Sequence, residues 1–231
     1  MVKQDKSIIS REINNLDKEA SDIGLGGYTT EINMNETYKG RMAKRKAIQE
    51  ERLKNRNKEK QLIIVFTGNG KGKTTASLGM ALRTIGHGHN VAIVQFIKGG
   101  WEPGEVNALK TFGNQLKFHA FGEGFTWETQ DKVRDKELVK KSWEKALNYL
   151  KSNSHKLVIL DEINIAIKLG YISIEEVLKG IKERPSLTHV VLTGRGATQK
   201  LIDVADLVTE MKLINHPFKE QGVKAQEGIE F

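Results

Sequence analysis

The chain has no cysteine, which excludes disulfides, cysteine-ligated zinc, iron–sulfur clusters and thiolate catalysis together. Any redox chemistry would have to come from a bound cofactor. Prolines number only three in 231 residues, and no apolar run approaches the roughly 18 residues of a membrane-spanning helix. The opening Met-Val-Lys-Gln-Asp-Lys lacks the apolar region of a signal peptide, so a cytoplasmic location with no membrane partner is expected. What is present, 38% hydrophobic and 29% charged residues, fits one sizeable globular domain with room for an appendage.

The formal charge of +8 is unevenly placed. Residues 1–38 hold four bases against seven acids, 39–60 hold ten against three, and 61–231 hold 23 against 19. A basic segment therefore precedes the first strong apolar run. It could be a nucleic-acid arm, a partner for an anionic small molecule, or a solvated helix face. Because no aromatic residues interleave with its bases, a single-strand stacking platform is disfavoured and no nucleic-acid partner is expected.

That apolar run, Leu62-Ile63-Ile64-Val65-Phe66, leads into Thr67-Gly68-Asn69-Gly70-Lys71-Gly72-Lys73-Thr74-Thr75, after which a helical pattern begins. A glycine-rich turn between a strand and a helix is a phosphate-binding position. Gly68, Gly70 and Gly72 allow the backbone to bend so that N–H groups converge on an anion, Lys73 reaches the phosphates, and the Thr74 hydroxyl takes a Mg²⁺ position. The strict G-x-x-x-x-G-K-[ST] pattern is not met, because its first position falls on Thr67. The loop is read as a variant of it.

Periodicity predicts an amphipathic helix over 7–21, with Ile9, Ile13, Leu16 and Ala20 on one stripe, then a linker at Gly24–Gly27 and a basic helix over 38–60. Three domain segments follow: an extension over 1–37, the basic helix over 38–60, and a catalytic domain over 61–231. Within the last, helices are expected over 76–85, 128–152, from Ser173 to Pro185, and over 198–205, with Ser173 and Glu176 as a capping box. Strands are expected at 91–97, 116–121, 157–160, 190–193 and 207–213. This alternation implies an α/β fold, a mostly parallel sheet with helices on both faces whose ligand site lies at the strands' carboxyl ends.

Further chemistry falls at those ends. Asp161-Glu162 closes an apolar strand, as carboxylates that hold Mg²⁺ do; two acids capping the next helix would look the same. Arg195, within Thr193-Gly194-Arg195-Gly196-Ala197, could meet a phosphate or lie in a surface turn. His87 and His89, set among glycines, read as a helix stop rather than metal ligands. Phe125 and Trp127, in Gly124-Phe125-Thr126-Trp127-Glu128-Thr129-Gln130, lie outside any expected strand and are poorly explained as core alone.

Six stretches together resemble the P-loop-type ATP:corrinoid adenosyltransferases: GNGKGKTT at 68–75, GHGHNVAIVQFIKG at 86–99, GFTWETQ at 124–130, VILDE at 158–162, VVLTGRG at 190–196 and HPFKEQGVKAQEGIEF at 216–231. The resemblance covers about residues 40–231 and leaves the first 37 without a counterpart. It implies a P-loop NTPase-like (RecA-like) sheet and transfer of the 5′-deoxyadenosyl group of ATP to the Co(I) of a corrinoid, with triphosphate leaving. Asn69, Lys71, Thr75 and Arg195 would join the loop glycines, Lys73 and Thr74 in holding the nucleotide, and Thr74 and Glu162, supported by Asp161, would hold Mg²⁺. Phe125 and Trp127 would fill the lower face of the corrinoid and keep its cobalt four-coordinate, which eases reduction to Co(I). A reduced flavin or flavoprotein as electron donor and a homodimer are implied as well. The alternatives are a P-loop ATPase or phosphotransferase switch and a nucleic-acid-binding module. The stripe over 7–21 followed by glycines also resembles short tags that direct enzymes into bacterial microcompartments, where residues 1–27 would meet a shell or partner protein. A frayed extension would have the same sequence.

Overall fold

Short runs of β-branched and other apolar residues build the sheet. Its strands are β1 Ile63–Thr67, β2 Val91–Gln95, β3 Leu116–Ala120, β4 Leu157–Asp161, β5 His189–Thr193 and β6 Leu207–Glu210. The computed structural model describes residues 30–54, 56–97, 104–120, 131–185 and 187–229. Strand order is β3-β2-β4-β5-β1-β6, and every pairing is parallel. All carboxyl ends therefore lie on one edge. Side chains alternate between faces: Ala92, Val94, Val158, Leu160, Val190 and Leu192 pack into one core, while Val91, Ile93, Leu157, Ile159 and Val191 pack into the other. A sheet buried on both sides needs such continuous apolar strands.

Helices α1 Thr30–Lys54, α2 Lys73–Gly86, α3 Gly104–Lys110, α4 Lys132–Leu150, α5 Ile163–Lys168, α6 Ile174–Lys182, α7 Gln199–Val204 and α8 Pro217–Gln221 complete the described elements. Leu78, Ala81 and Ile85 of α2 and Leu109 of α3 cover one face, and α4 to α7 cover the other through Val139, Trp143, Ile163, Val177, Ile181 and Leu201. Asp131, Ser173 and Thr198 cap α4, α6 and α7 by accepting backbone N–H bonds, Ser173 from Glu176 as its spacing predicts. By contrast, α2 starts at Gly72, in the left-handed region at φ 103°, with no side-chain cap. Its first amides are left for another acceptor.

Several bounds differ from the sequence reading. The Asp131 cap delays α4 to Lys132, four residues after the expected start. β6 stops at Glu210 rather than 213, because Met211 turns to accept the Gly70 N–H at 2.7 Å. α1 begins at Thr30, runs through Gly40 and ends at Lys54, so the helical region is longer at its start and shorter at its end than 38–60. Two units divide the chain, Met1–Lys58 and Glu59–Phe231. The stripe over 7–21, its glycine linker, and Phe125 and Trp127 lie outside the described residues. Among the described residues, no helix is long and apolar enough to cross a membrane.

Candidate functional site

The loop after β1 packs tightly against the chain that leaves β6. A Cβ at Gly70 would stand 2.7 Å from the Lys212 carbonyl oxygen, and one at Gly68, where φ is 94°, would stand 2.8 Å from Met211 N and collide with the Met211 carbonyl. These two glycines are thus required by close backbone approach as well as by curvature. The Gly70 N–H is spent on Met211, so it does not join the amides that face an anion. Lys73 is 6% exposed, and its Nζ curls back to donate to the carbonyls of Gly70 at 2.6 Å and Gly68 at 3.0 Å. An ammonium has three protons, so one is left over for a ligand. Burial lowers the Lys73 pKa, and Arg195 adds to that while Glu162 and Asp161 oppose it.

Two adjacent carboxylates at the end of β4 have opposite settings. Asp161 is 2% exposed and accepts three bonds: Thr193 Oγ1 at 2.7 Å and Thr74 Oγ1 at 3.0 Å on Oδ1, and Gln95 Nε2 at 3.0 Å on Oδ2. Burial raises its pKa and those three donors oppose the rise. Glu162 turns into the left-handed region at φ 60°, a conformation a glutamate adopts only where its surroundings enforce it. Its Oε2 is buried with no hydrogen-bond partner among the described residues. Burial, and then repulsion from Asp161, push its pKa up to about 7, against the pull of Lys73 and Arg195.

This geometry fits a hard divalent cation. Thr74 donates its proton to Asp161, which leaves its oxygen lone pairs free, and Glu162 Oε2 offers an unused anionic oxygen. Asp161, with three of its roughly four acceptor sites already taken by donors, is placed to support. Mg²⁺ commonly takes one or two protein ligands and completes its octahedron with phosphate and water, and no group of three or more His, Cys, Asp or Glu side chains able to hold a metal occurs among the described residues.

The fold therefore brings the loop over 68–75, Asp161 and Glu162 together, with Arg195 close enough to act on Lys71, Lys73 and Glu162. Burial, followed by Arg195, lowers the Lys71 pKa. Thr75 is exposed in the first turn of α2. His87 and His89 occupy the turn that ends α2, as expected. Asn69 and Arg195 also line a cleft of about 690 Å³ together with Lys212, His216 and Lys219. Sequence reasoning assigned the last three no role. For His216 and Lys219 the signal was the matched stretch over 216–231, which named no function for any residue, and Lys212 lies before it. Gln95, inside the expected strand 91–97, and Thr193, at the end of the expected strand 190–193, were given no role of their own, and Asn164 had no signal at all.

A parallel α/β sheet with a phosphate-type loop after its first strand and two carboxylates at the end of a neighbouring strand defines the class of P-loop-like nucleotide-handling proteins. The chain belongs, within that class, to the ATP:corrinoid adenosyltransferase BtuR/CobO/CobP family, whose model matches residues 59–231. It is 53% identical over 193 residues to a corrinoid adenosyltransferase of Sinorhizobium sp, which spans 83% of this chain and 90% of that one. A corrinoid adenosyltransferase of Pseudomonas aeruginosa is 44% identical over 194 residues, 84% of this chain and 95% of its own. One of Escherichia coli is 41% identical over 158 residues, 68% and 79% respectively.

Proposed function

We infer that this chain transfers the 5′-deoxyadenosyl group of ATP to the Co(I) of a corrinoid such as cobalamin and releases triphosphate. One observation carries the reading: the family match runs through residues 59–231, the unit that holds the loop, both carboxylates and Arg195. Co(I) attacks the 5′ carbon of ATP, the carbon–oxygen bond to the α-phosphate breaks, and its electron pair leaves with the triphosphate. The phosphate loop then grips a leaving group. Lys73, with one ammonium proton unspent, Lys71, Arg195 and the uncapped amides of α2 stabilise charge that grows on the triphosphate. Asn69, the loop glycines and Thr75 line or shape the same nucleotide position. Thr74 and Glu162, with Asp161 in support, would hold Mg²⁺. When bound, that ion neutralises part of the charge on the triphosphate.

Phe125 and Trp127 are proposed to keep the cobalt of the corrinoid four-coordinate, since neither aromatic offers it a ligand. A reduced flavin or flavoprotein as electron donor, a homodimeric state and a cytoplasmic setting, with residues 1–27 as a tag for a microcompartment shell, extend the reading by resemblance.

Anaerobic incubation with ATP, Mg²⁺ and chemically reduced cobalamin tests it. The corrinoid spectrum should change to that of adenosylcobalamin, with triphosphate formed only when reduced corrinoid is present. Orthophosphate released without corrinoid would instead indicate an ATPase, and salt-sensitive oligonucleotide binding a nucleic-acid module. Trp127→Ala should fail mainly when the assay starts from Co(II) and a mild reductant, and should recover much of its rate with preformed Co(I). Equal loss in both assays would assign the aromatics to packing.

A further inference from the structure

Two hydrogen-bonded side chains tie the segment leaving β5 to the segment leaving β4. The strands are parallel neighbours with Leu160 beside Leu192, so Asp161-Glu162 and Thr193-Gly194-Arg195 emerge side by side. Thr193 is fully buried and uses its hydroxyl twice, donating to Asp161 Oδ1 at 2.7 Å and accepting the Glu162 N–H at 2.9 Å. The second bond helps to hold the residue at φ 60°, a backbone state unfavourable for an L-residue. Asn164, 1% exposed, donates from Nδ2 to the Gly194 carbonyl at 3.1 Å. Gly194 has φ 123°, and a Cβ there would stand 3.0 Å from both Asn164 Cβ and Glu162 Oε2. The junction has no slack.

A buried hydroxyl and a buried amide are costly where valine and leucine of similar size would pack as well, unless their bonds are made. Here the bonds that are made, two by the Thr193 hydroxyl and one by Asn164 Nδ2, connect the segments that carry Glu162 and Arg195, and Asn164 Oδ1 is buried with no partner among the described residues. We propose that Thr193 and Asn164 are positioning residues that fix the spacing of Glu162 from Arg195, so that the carboxylate that holds the cation and the guanidinium that meets phosphate are in place before Mg²⁺-ATP arrives. The proposal rests on the adenosyltransferase reading only for its choice of ligand. Preorganisation of this kind is sensitive to small displacements, because outer-shell partners orient the groups that touch the ligand.

Calorimetric titration with Mg²⁺-ATP, in the absence of corrinoid, tests the brace apart from the overall reaction. Thr193→Val keeps the shape of the side chain and removes the hydroxyl, whereas Thr193→Ser keeps the hydroxyl. The valine variant should bind Mg²⁺-ATP about 10–100-fold more weakly and the serine variant within about threefold of the unchanged protein, as loss and retention of an outer-shell bond predict. Asn164→Leu should weaken binding in the same range of about 10–100-fold, and it carries the test should Thr193→Val not fold. Equal weakening by valine and serine at 193, or normal binding by both Thr193→Val and Asn164→Leu, would overturn the proposal. Normal Mg²⁺-ATP binding by the unchanged protein without any adenosylated corrinoid would instead defeat the functional reading and leave the brace standing.

Discussion

The strand ends at the middle of the sheet and the helix Thr30–Lys54 are both rich in polar groups, yet they are built on opposite terms. At the strand ends, Lys73, Asp161, Asn164 and Thr193 are nearly or fully buried, and each makes a specific hydrogen bond. Along α1, every side chain described from Thr37 to Lys54 is exposed except Met42, which is half-buried. Within it, the ion pair of Lys46 with Glu50 at 3.8 Å joins two exposed side chains. The first region depends on individual atoms, because an unpaired polar group there is left in low dielectric. The second depends on averaged helix propensity, where no single side chain decides the outcome.

The largest effect expected from breaking this contrast is at Lys73. Its ammonium already spans two loop carbonyls, so Lys73→Ala removes a brace on the loop and a charge at the phosphates in one step. Turnover with preformed Co(I) should fall about 100–1000-fold, the range typical for a lost charge-stabilising donor. Near-normal turnover in that variant would end the phosphate-loop assignment.

Next in size is a pH effect at Glu162. Its folded pKa, about 7, lies above the ordinary 4.5, so the folded chain holds that proton more tightly than the unfolded chain. The stability this contributes is full below the ordinary value and is lost as pH rises through about 7. Across that window the loss is about 3 kcal/mol at most, from about 1.4 kcal/mol per pKa unit. Glu162→Gln carries no titratable proton, so nucleotide-free melting curves should show the unchanged protein losing stability relative to the variant between pH 4.5 and pH 7. A difference that stays flat over this range would mean that the carboxylate does not feel its burial. In the presence of Mg²⁺-ATP the same difference should shrink, because the cation supplies the partner that Oε2 lacks.

What could be read in advance follows the same division. The loop over 68–75, the acids at 161–162 and Arg195 were legible because each lies beside an apolar run that marks a strand, and parallel strands deliver their ends to one edge. The contacts that refine the site were not, because they depend on pairings distant in sequence. Gly68 and Gly70 are glycine partly because Met211 and Lys212 pass over them, and nothing local to 68–70 announces a strand some 140 residues later. In the same way, Gln95, Thr74 and Thr193 converge on Asp161 from three different strand–helix junctions. Sequence could name the carboxylate but not its three donors, and those donors separate the setting of Asp161 from that of Glu162, whose Oε2 has no partner among the described residues. For α1 the composition gave the right type of element and the wrong bounds, since the helix runs from Thr30 through Gly40 to Lys54 and not over 38–60.

That glycine supplies the smallest and most local test. Gly40 lies inside α1, ten residues after its first residue, and a Cβ built there meets nothing within 4 Å. Glycine within a helix costs about 0.5–1 kcal/mol relative to alanine, through the conformational freedom it loses on ordering. Gly40→Ala should therefore strengthen α1 with no steric penalty. Amide hydrogen exchange around residue 40 should slow by about two- to fivefold, the factor that 0.5–1 kcal/mol gives for local opening. Because α1 falls in the unit Met1–Lys58 and the site in Glu59–Phe231, the melting of the sheet should stay where it is. Unchanged exchange would show that α1 is held by something other than its own propensity, and the contrast with the strand ends would then have to be redrawn around whatever group holds it.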